Sequence, residues 1–340
     1  MCRSMPYQAD PNLAEFVHSL PKTETHLHIE GACPIELLRE IDPIQFKDPP
    51  RMWADSFRYS SFDHFMELYG IPCETVFTSA DQYHRAAAIV LSNCSRQNVR
   101  YVETSFHCGI FNTIKDTGPE LIRAIKSASP DNLEVRVFMG MSHNAMDGIG
   151  QEIVSDCHRW EELDGIDLHG PEYWPFEDWT AEIWARARDV GQFTKAHAGE
   201  FMGADFVAKI LDELKVTRIE HGVRSIEDPA VVKRLVKERI TLDVCPISNV
   251  KLSVKGIPNM AAHPIRQLFD SNVKVTINSD DPYMFGNTLS EEYYALFQEL
   301  DFTERELVDI ARNGFEIALW EGEAKDQCIE ELNSIAASMD

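Results

Sequence analysis

The sequence predicts an α/β fold, a (β/α)8 barrel with extra helices after the first strand and at the C-terminus, on three observations. Five short apolar, partly β-branched runs each end in His, Asp, Glu, Ser or Asn beside Gly or Pro. Three further runs of strand character, Val99–Ser105, Leu133–Met139 and Leu163–His169, bring the count from Thr23 onward to eight. Helix-like stretches lie between the runs, and strands alternating with helical patterns point to parallel pairing. Ionisable side chains gathered at the same end of successive strands are the layout of a barrel whose site lies at the C-terminal rim.

Taken in order, the first run closes with His26-Leu27-His28 and stops at Gly31. Side chains alternate with period two along a strand, so the two imidazoles share a face. The fifth run, Phe193–Glu200, ends in His197 and Glu200; the sixth, Arg218–Gly222, ends in His221. The seventh, Leu242–Asn249, passes through Cys245-Pro246, and the eighth, Val273–Pro282, closes with Asp280-Asp281-Pro282. Between the sixth and seventh, Asp228 is placed to cap a helix that Pro229 opens. Ser56–Tyr69, after the first strand, is rich enough in aromatics to form an apolar lid. The 340 residues exceed the ~250 typical of the fold and leave room for insertions. No linker, repeat or low-complexity tract interrupts them, so 1–340 reads as a single domain.

Composition narrows the partners. Lys and Arg number 32 against 56 Asp and Glu, a formal net charge of -24. Phosphate backbones and anionic membranes would repel such a chain, which argues against nucleic acid and membrane partners. No apolar stretch approaches the ~18 residues of a membrane span. The first ten residues lack the apolar core of a secretory signal. Eight Cys without a framework of spacing read as reduced thiols. Those features together point to the cytoplasm.

His26, His28, His197 and Asp280 would offer three imidazoles and a carboxylate, a donor set suited to Zn²⁺ or Fe²⁺. A lone His is more often a hydrogen-bonded structural residue, and an isolated Asp-Asp-Pro is more often a turn. That bland reading would have to hold at four strand ends together.

The ordered motifs His26-x-His28, His197-Ala-Gly-Glu200, His221-Gly222 and Ser279-Asp-Asp-Pro282 resemble those of the adenosine/adenine deaminase family of metal-dependent amidohydrolases. The resemblance runs from about Leu20 to about Tyr294. It implies hydrolytic removal of the 6-amino group of an adenine-type purine by a metal-activated hydroxide, with release of ammonia. By the same resemblance His26, His28, His197 and Asp280 hold one divalent metal, usually zinc, and Asp280 also orients the attacking hydroxide. Glu200 protonates purine N1, His221 stabilises the developing charge, Asp281 meets N7 and the backbone of Gly170 meets N3. Glu30 stands where a carboxylate contacts ribose in nucleoside-using members. No Lys occurs in the fourth strand to bridge a second metal, so one metal is expected.

Arg218–Ser225, with an acidic residue before His221, and Cys245–Leu252 resemble the adenine-using branch. Phe285–Tyr293 fits either branch, so adenine, adenosine and modified adenines stay open as substrates. His169 and the aromatic run Glu172–Trp179 depart from both branches; the simpler reading of that run is a helix start packing aromatics on the barrel. Two other classes remain: another mononuclear metal-dependent amidohydrolase, and a catalytically silent barrel that binds a purine.

Overall fold

A computed structural model describes residue 7 and residues 9–147 and 150–339. Eight strands follow one another around a single parallel sheet: β1 (Lys22–His28), β2 (Val99–His107), β3 (Glu134–Ser142), β4 (Gly165–His169), β5 (Phe193–Ala198), β6 (Arg218–His221), β7 (Thr241–Val244) and β8 (Lys274–Ile277). A parallel bridge between Leu27 and Asp280 joins the ends of β1 and β8. Two bonds tie that seam, His28 N–H to the Asp280 carbonyl at 3.0 Å and Asp280 N–H to the His26 carbonyl at 3.2 Å. The sequence-predicted strands are all present, in order, and form the barrel.

The extra helices also fall where expected. Ile35–Ile41, Phe62–Thr75 and Ala80–Arg96 lie between β1 and β2, and Leu289–Glu299, Glu304–Ile317 and Glu323–Ala337 follow β8. Asp228 caps helix Pro229–Glu238 by accepting the Ala230 N–H at 2.8 Å, with Pro229 at its first position. One helix was not foreseen: Pro11–Ser19 precedes β1, and Asp10 accepts from Asn12 N at 2.9 Å and Leu13 N at 3.1 Å. Asp10-Pro11 is the cap-then-proline signal of a helix start, but nine residues show too little periodicity to read. The aromatic run behaves in part as expected: helix Asp178–Asp189 begins within it and takes in Trp179, and Phe176 and Trp179 pack against the core, whereas Tyr173 and Trp174 stay exposed.

The barrel interior carries charge where branched apolar side chains usually dominate. Arg218 donates to Glu103 Oε1 at 2.7 Å and to Asp243 Oδ2 at 2.6 Å. Lys195 Nζ lies 2.7 Å from Glu220 Oε1 and donates to the Thr25 carbonyl at 2.8 Å. Each of these five charged residues is at most 2% exposed. Buried charges are tolerated when every partner is in place, and losing one strands the others. Arg218→Leu should therefore destabilise the protein by about 3–5 kcal/mol, read as a lower denaturant midpoint. An unchanged midpoint would show that Glu103 and Asp243 do not depend on it.

Candidate active site

Three imidazoles and a carboxylate converge at the C-terminal rim. One ligand-capable atom from each of His26, His28, His197 and Asp280 lies within 4.8 Å of the others, and all four residues are buried. His26 Nε2 and His197 Nε2 are 3.1 Å apart, and Asp280 Oδ1 lies 3.3 Å from Nε2 of both His26 and His28. The period-two alternation of β1 puts His26 and His28 together, as expected. What aims them is the other nitrogen of each ring. His26 Nδ1 faces the Asp243 carbonyl at 3.2 Å, and His28 Nδ1 faces Ser105 Oγ at 2.8 Å. His197 Nδ1 meets Glu220 Oε2 at 2.8 Å and the Leu168 carbonyl at 3.1 Å. With Nδ1 engaged outside, each Nε2 lone pair faces one centre, the arrangement that orients imidazoles for a metal. The donor set and its spacing fit a divalent cation of the zinc or iron type.

Across the same centre stand Glu200, His221 and Asp280, again with one polar atom each inside 4.8 Å. His221 Nε2 is 3.6 Å from Glu200 Oε1 and 3.8 Å from Asp280 Oδ2. Asn249 Nδ2 lies 3.1 Å from His221 Nδ1 and 3.4 Å from Glu200 Oε1, while Asn249 Oδ1 faces His263 Nε2 at 3.1 Å. An amide N–H donating to Nδ1 leaves the His221 proton on Nε2, facing the site. Ser248 Oγ donates to Asp280 Oδ2 at 2.6 Å. Both His221 and Asp280 have positive φ, 62° and 63°. Non-glycine residues in that region are strained and cluster at functional sites.

Burial sets the protonation states. It pushes the Glu200 carboxyl well above the usual range, with Asp280 and Glu172 adding to the push. Burial does the same to Asp281, reinforced by Asp280. His221 and His169 are held well below the ordinary imidazole value by burial, and His107 is lowered to about 4 by burial and then by His28.

These groups face a cavity of about 350 Å³. His28, His197, Glu200, His221, Asp280, Asp281 and Gly170 all line it. Phe62, Phe65, Met66, Tyr69, Trp174 and Leu252 supply its apolar wall, so the Ser56–Tyr69 segment does cover the site, chiefly as helix Phe62–Thr75. Among the described residues lining it there is no Lys or Arg. Asp281 Oδ1 is buried without a hydrogen-bond partner. A Cβ on Gly31 would sit 1.7 Å from that oxygen, which is why the turn after β1 needs glycine there. Glu30 is not brought to the cavity. Its Oε1 accepts from Tyr83 Oη at 2.6 Å and from His107 N–H at 3.1 Å, and burial raises its carboxyl to about 7. A wider groove of about 1090 Å³ runs outside the barrel past Arg39, Pro50 and Tyr294 and holds none of the metal-facing histidines.

Sequence reading passed over Glu172. Its carboxylate accepts three consecutive backbone N–H groups, Glu200 at 2.9 Å, Phe201 at 3.1 Å and Met202 at 2.6 Å. It staples the turn that carries Glu200 to the loop after β4. Its place two residues beyond Gly170 was the only signal. Asp167 escaped notice as well; its Oδ1 lies 3.3 Å from His197 Nδ1.

Comparison with known proteins agrees with this geometry. An adenine deaminase of Acinetobacter baylyi is 32% identical over 337 residues, covering 95% of this chain and all of that protein. The crystal structure of an adenine deaminase from Arthrobacter aurescens superposes with a TM-score of 0.81 at 24% identity, over 94% of this chain and 99% of that one. An amidohydrolase from Burkholderia ambifaria, solved with bound zinc, gives 0.81 at 22% identity, over 98% and 96%. The family model for adenosine deaminase matches residues 21–335, and the chain belongs to that family.

Proposed function

We propose that this protein is a hydrolytic deaminase that replaces the 6-amino group of an uncharged adenine-type purine with oxygen, consuming water and releasing ammonia. The observation that carries it is Glu200, a carboxyl whose pKa burial holds well above the usual range, set beside His221 and Asp280 in a cavity that two of the three converging imidazoles, His28 and His197, also line. Relatives named adenine deaminase at about a third identity support the same reaction.

His26, His28, His197 and Asp280 would hold one zinc ion, a choice supported by the donor set and by the zinc in the Burkholderia neighbour. When bound, such an ion supplies Lewis acidity that lets a water ionise near neutral pH. The protein's own groups do the rest. Glu200 donates its proton to purine N1, which drains electron density from C6 and opens it to attack. Asp280 accepts the proton that the incoming water gives up and passes it to the amino group, which departs as ammonia, while the remaining hydroxyl proton returns to Glu200 as the 6-oxo product forms. His221 offers its Nε2–H to the oxygen as charge builds on it. Asp281, also protonated, donates to N7, and the Gly170 N–H is placed for N3. The apolar wall excludes bulk water, which strengthens each of these interactions. With no Lys or Arg among the described residues of the lining and a net charge of -24, a phosphate monoester meets no fixed cation there, so nucleotides are disfavoured.

The other two classes fare less well. A hydrolase of simple amides or esters has no use for a protonated carboxyl three residues past a ligand. A silent purine-binding barrel would have no need of the strained His221 and Asp280.

Elemental analysis of the purified protein should give close to one equivalent of zinc or iron, and His197→Ala should lose it. Two equivalents, both required for turnover, would contradict a single centre. Glu200→Gln should keep the metal and lose turnover by about 10² or more, measured as ammonia released from a panel of aminopurines. Near-normal turnover would remove Glu200 from the reaction. Glu172→Gln keeps one acceptor oxygen of the staple, and Glu172→Ala keeps none. The loss of kcat should be graded, about tenfold and then about a hundredfold, with metal content intact. Equal losses, or loss of metal in either, would show that the staple acts on overall folding.

A further inference from the structure

His263 does not line the cavity and takes no part in the proposed chemistry, yet it is buried, and only Asn249 separates it from His221. Three hydrogen bonds run in series. The Ile265 backbone N–H donates to His263 Nδ1 at 3.2 Å, His263 Nε2 meets Asn249 Oδ1 at 3.1 Å, and Asn249 Nδ2 meets His221 Nδ1 at 3.1 Å. A side-chain amide or an imidazole can face its partner either way round, but a backbone N–H can only donate. The direction of the whole series therefore follows from its first member. With Nδ1 accepting, His263 is neutral and carries its one proton on Nε2. Burial agrees, lowering its pKa to about 3. That proton meets the Asn249 carbonyl oxygen, so the amide nitrogen faces His221 and donates to Nδ1. His221, also kept neutral by burial, is left with its proton on Nε2.

Nothing on the cavity side makes that choice. Glu200 Oε1 and Asp280 Oδ2 lie 3.6 and 3.8 Å from His221 Nε2, both beyond hydrogen-bond reach. Turning the Asn249 amide over would bring its oxygen to His221 Nδ1, which would then take the proton and leave Nε2 bare. His263 opposes that turn, because the amide N–H would then face the His263 N–H, and a buried donor set against a donor is costly. Without His263, either orientation of the amide would suit His221. The second N–H of the same amide faces Glu200 Oε1 at 3.4 Å, so the series reaches the acid as well. Accepting the Ile265 N–H also ties down the start of helix Ile265–Asp270, but that duty engages Nδ1 alone and has no use for Nε2.

We propose that His263 is a positioning residue: through Asn249 it holds the His221 proton on Nε2, where it meets the oxygen that gains charge at purine C6. The part about C6 rests on the deaminase reading above; the direction of the hydrogen bonds does not.

Two substitutions separate this role from support of the helix. His263→Gln puts an amide N–H near the place of Nε2 and keeps the donor to Asn249. His263→Asn keeps an acceptor near the place of Nδ1 for the Ile265 N–H and loses that donor. His263→Asn should lower kcat by about tenfold, the scale of one lost hydrogen bond, with KM and metal content unchanged, and His263→Gln should recover most of the loss. A residue that only supported the helix would give the opposite order, with His263→Gln the worse variant, or would move KM and metal content together. Either result overturns the proposal. Nitrogen-15 spectra of histidine-labelled protein read the tautomer directly, the His221 signals being those lost in His221→Gln. Wild type should show a bare Nδ1 and a protonated Nε2, and His263→Asn a mixture of tautomers. A wild-type His221 that is itself a mixture, or carries its proton on Nδ1, overturns the proposal even if neither variant folds. Absence of ammonia from every aminopurine would sink the deaminase reading, and the spectra would still show whether His263 sets the tautomer.

Discussion

The contact between His197 Nδ1 and Glu220, 2.8 Å long and between two buried residues, is the interaction on which the rest of this molecule depends. It turns the ring so that Nε2 meets the imidazoles of β1. It also ties the site to the charges inside the barrel. Glu220 reaches Lys195, Lys195 reaches the Thr25 carbonyl on β1, and Arg218 on the same strand as Glu220 binds Glu103 of β2 and Asp243 of β7. Strands β1, β2, β5, β6 and β7 are thus linked by ionic and charge-assisted bonds in a low-dielectric interior. There such bonds are strong when complete and costly when broken. A barrel filled only with Val, Ile and Leu would close equally well, but would leave His197 without the carboxylate of Glu220.

Strain is the second organising feature. His221 and Asp280 both hold positive φ, a conformation that costs of order 1–3 kcal/mol per residue. The seam bonds at Asp280 and the Ala198–Gly222 and Gly199–Arg224 backbone bonds beside His221 over-determine those conformations. The same logic explains Glu172. A carboxylate that collects three N–H groups fixes a turn that has no sheet partner, and so fixes Glu200 at its head. Preorganisation of this kind is what lets an acid and an acceptor act without rearranging as charge moves.

The cavity divides its labour between rim and cover. The polar groups proposed to read the ring come from strand ends, where the sheet makes them rigid. The apolar cover comes from helix Phe62–Thr75 and from Trp174, which sit outside the sheet, and Phe62 touches Phe201 with ring centroids 5.1 Å apart. Phe201 follows Glu200 directly, so the cover rests on the same turn that Glu172 staples. The cover and the acid thus rest on one turn.

The sequence by itself determined the eight strands, their order, the added helices and the set of groups at the rim. Each of these follows from local chemistry: β-branched runs, period-two alternation for His26 and His28, and the cap-and-proline signal at Asp228 and Pro229. The family motifs named Glu200, His221, Asp280 and Asp281 because they lie within a few residues of one another or of a Gly or Pro. Only the tertiary structure decided how those groups are held. Glu220 with His197, Asn249 with His221, and Glu172 with the Glu200 turn join residues from different strands or loops, and no periodicity records such pairs. The same limit hid the turning of Glu30 toward Tyr83 and the meeting of His107 with His169 across 62 residues of chain. Those choices depend on which carboxylate or imidazole finds a partner when water is excluded, and that is a property of the closed barrel.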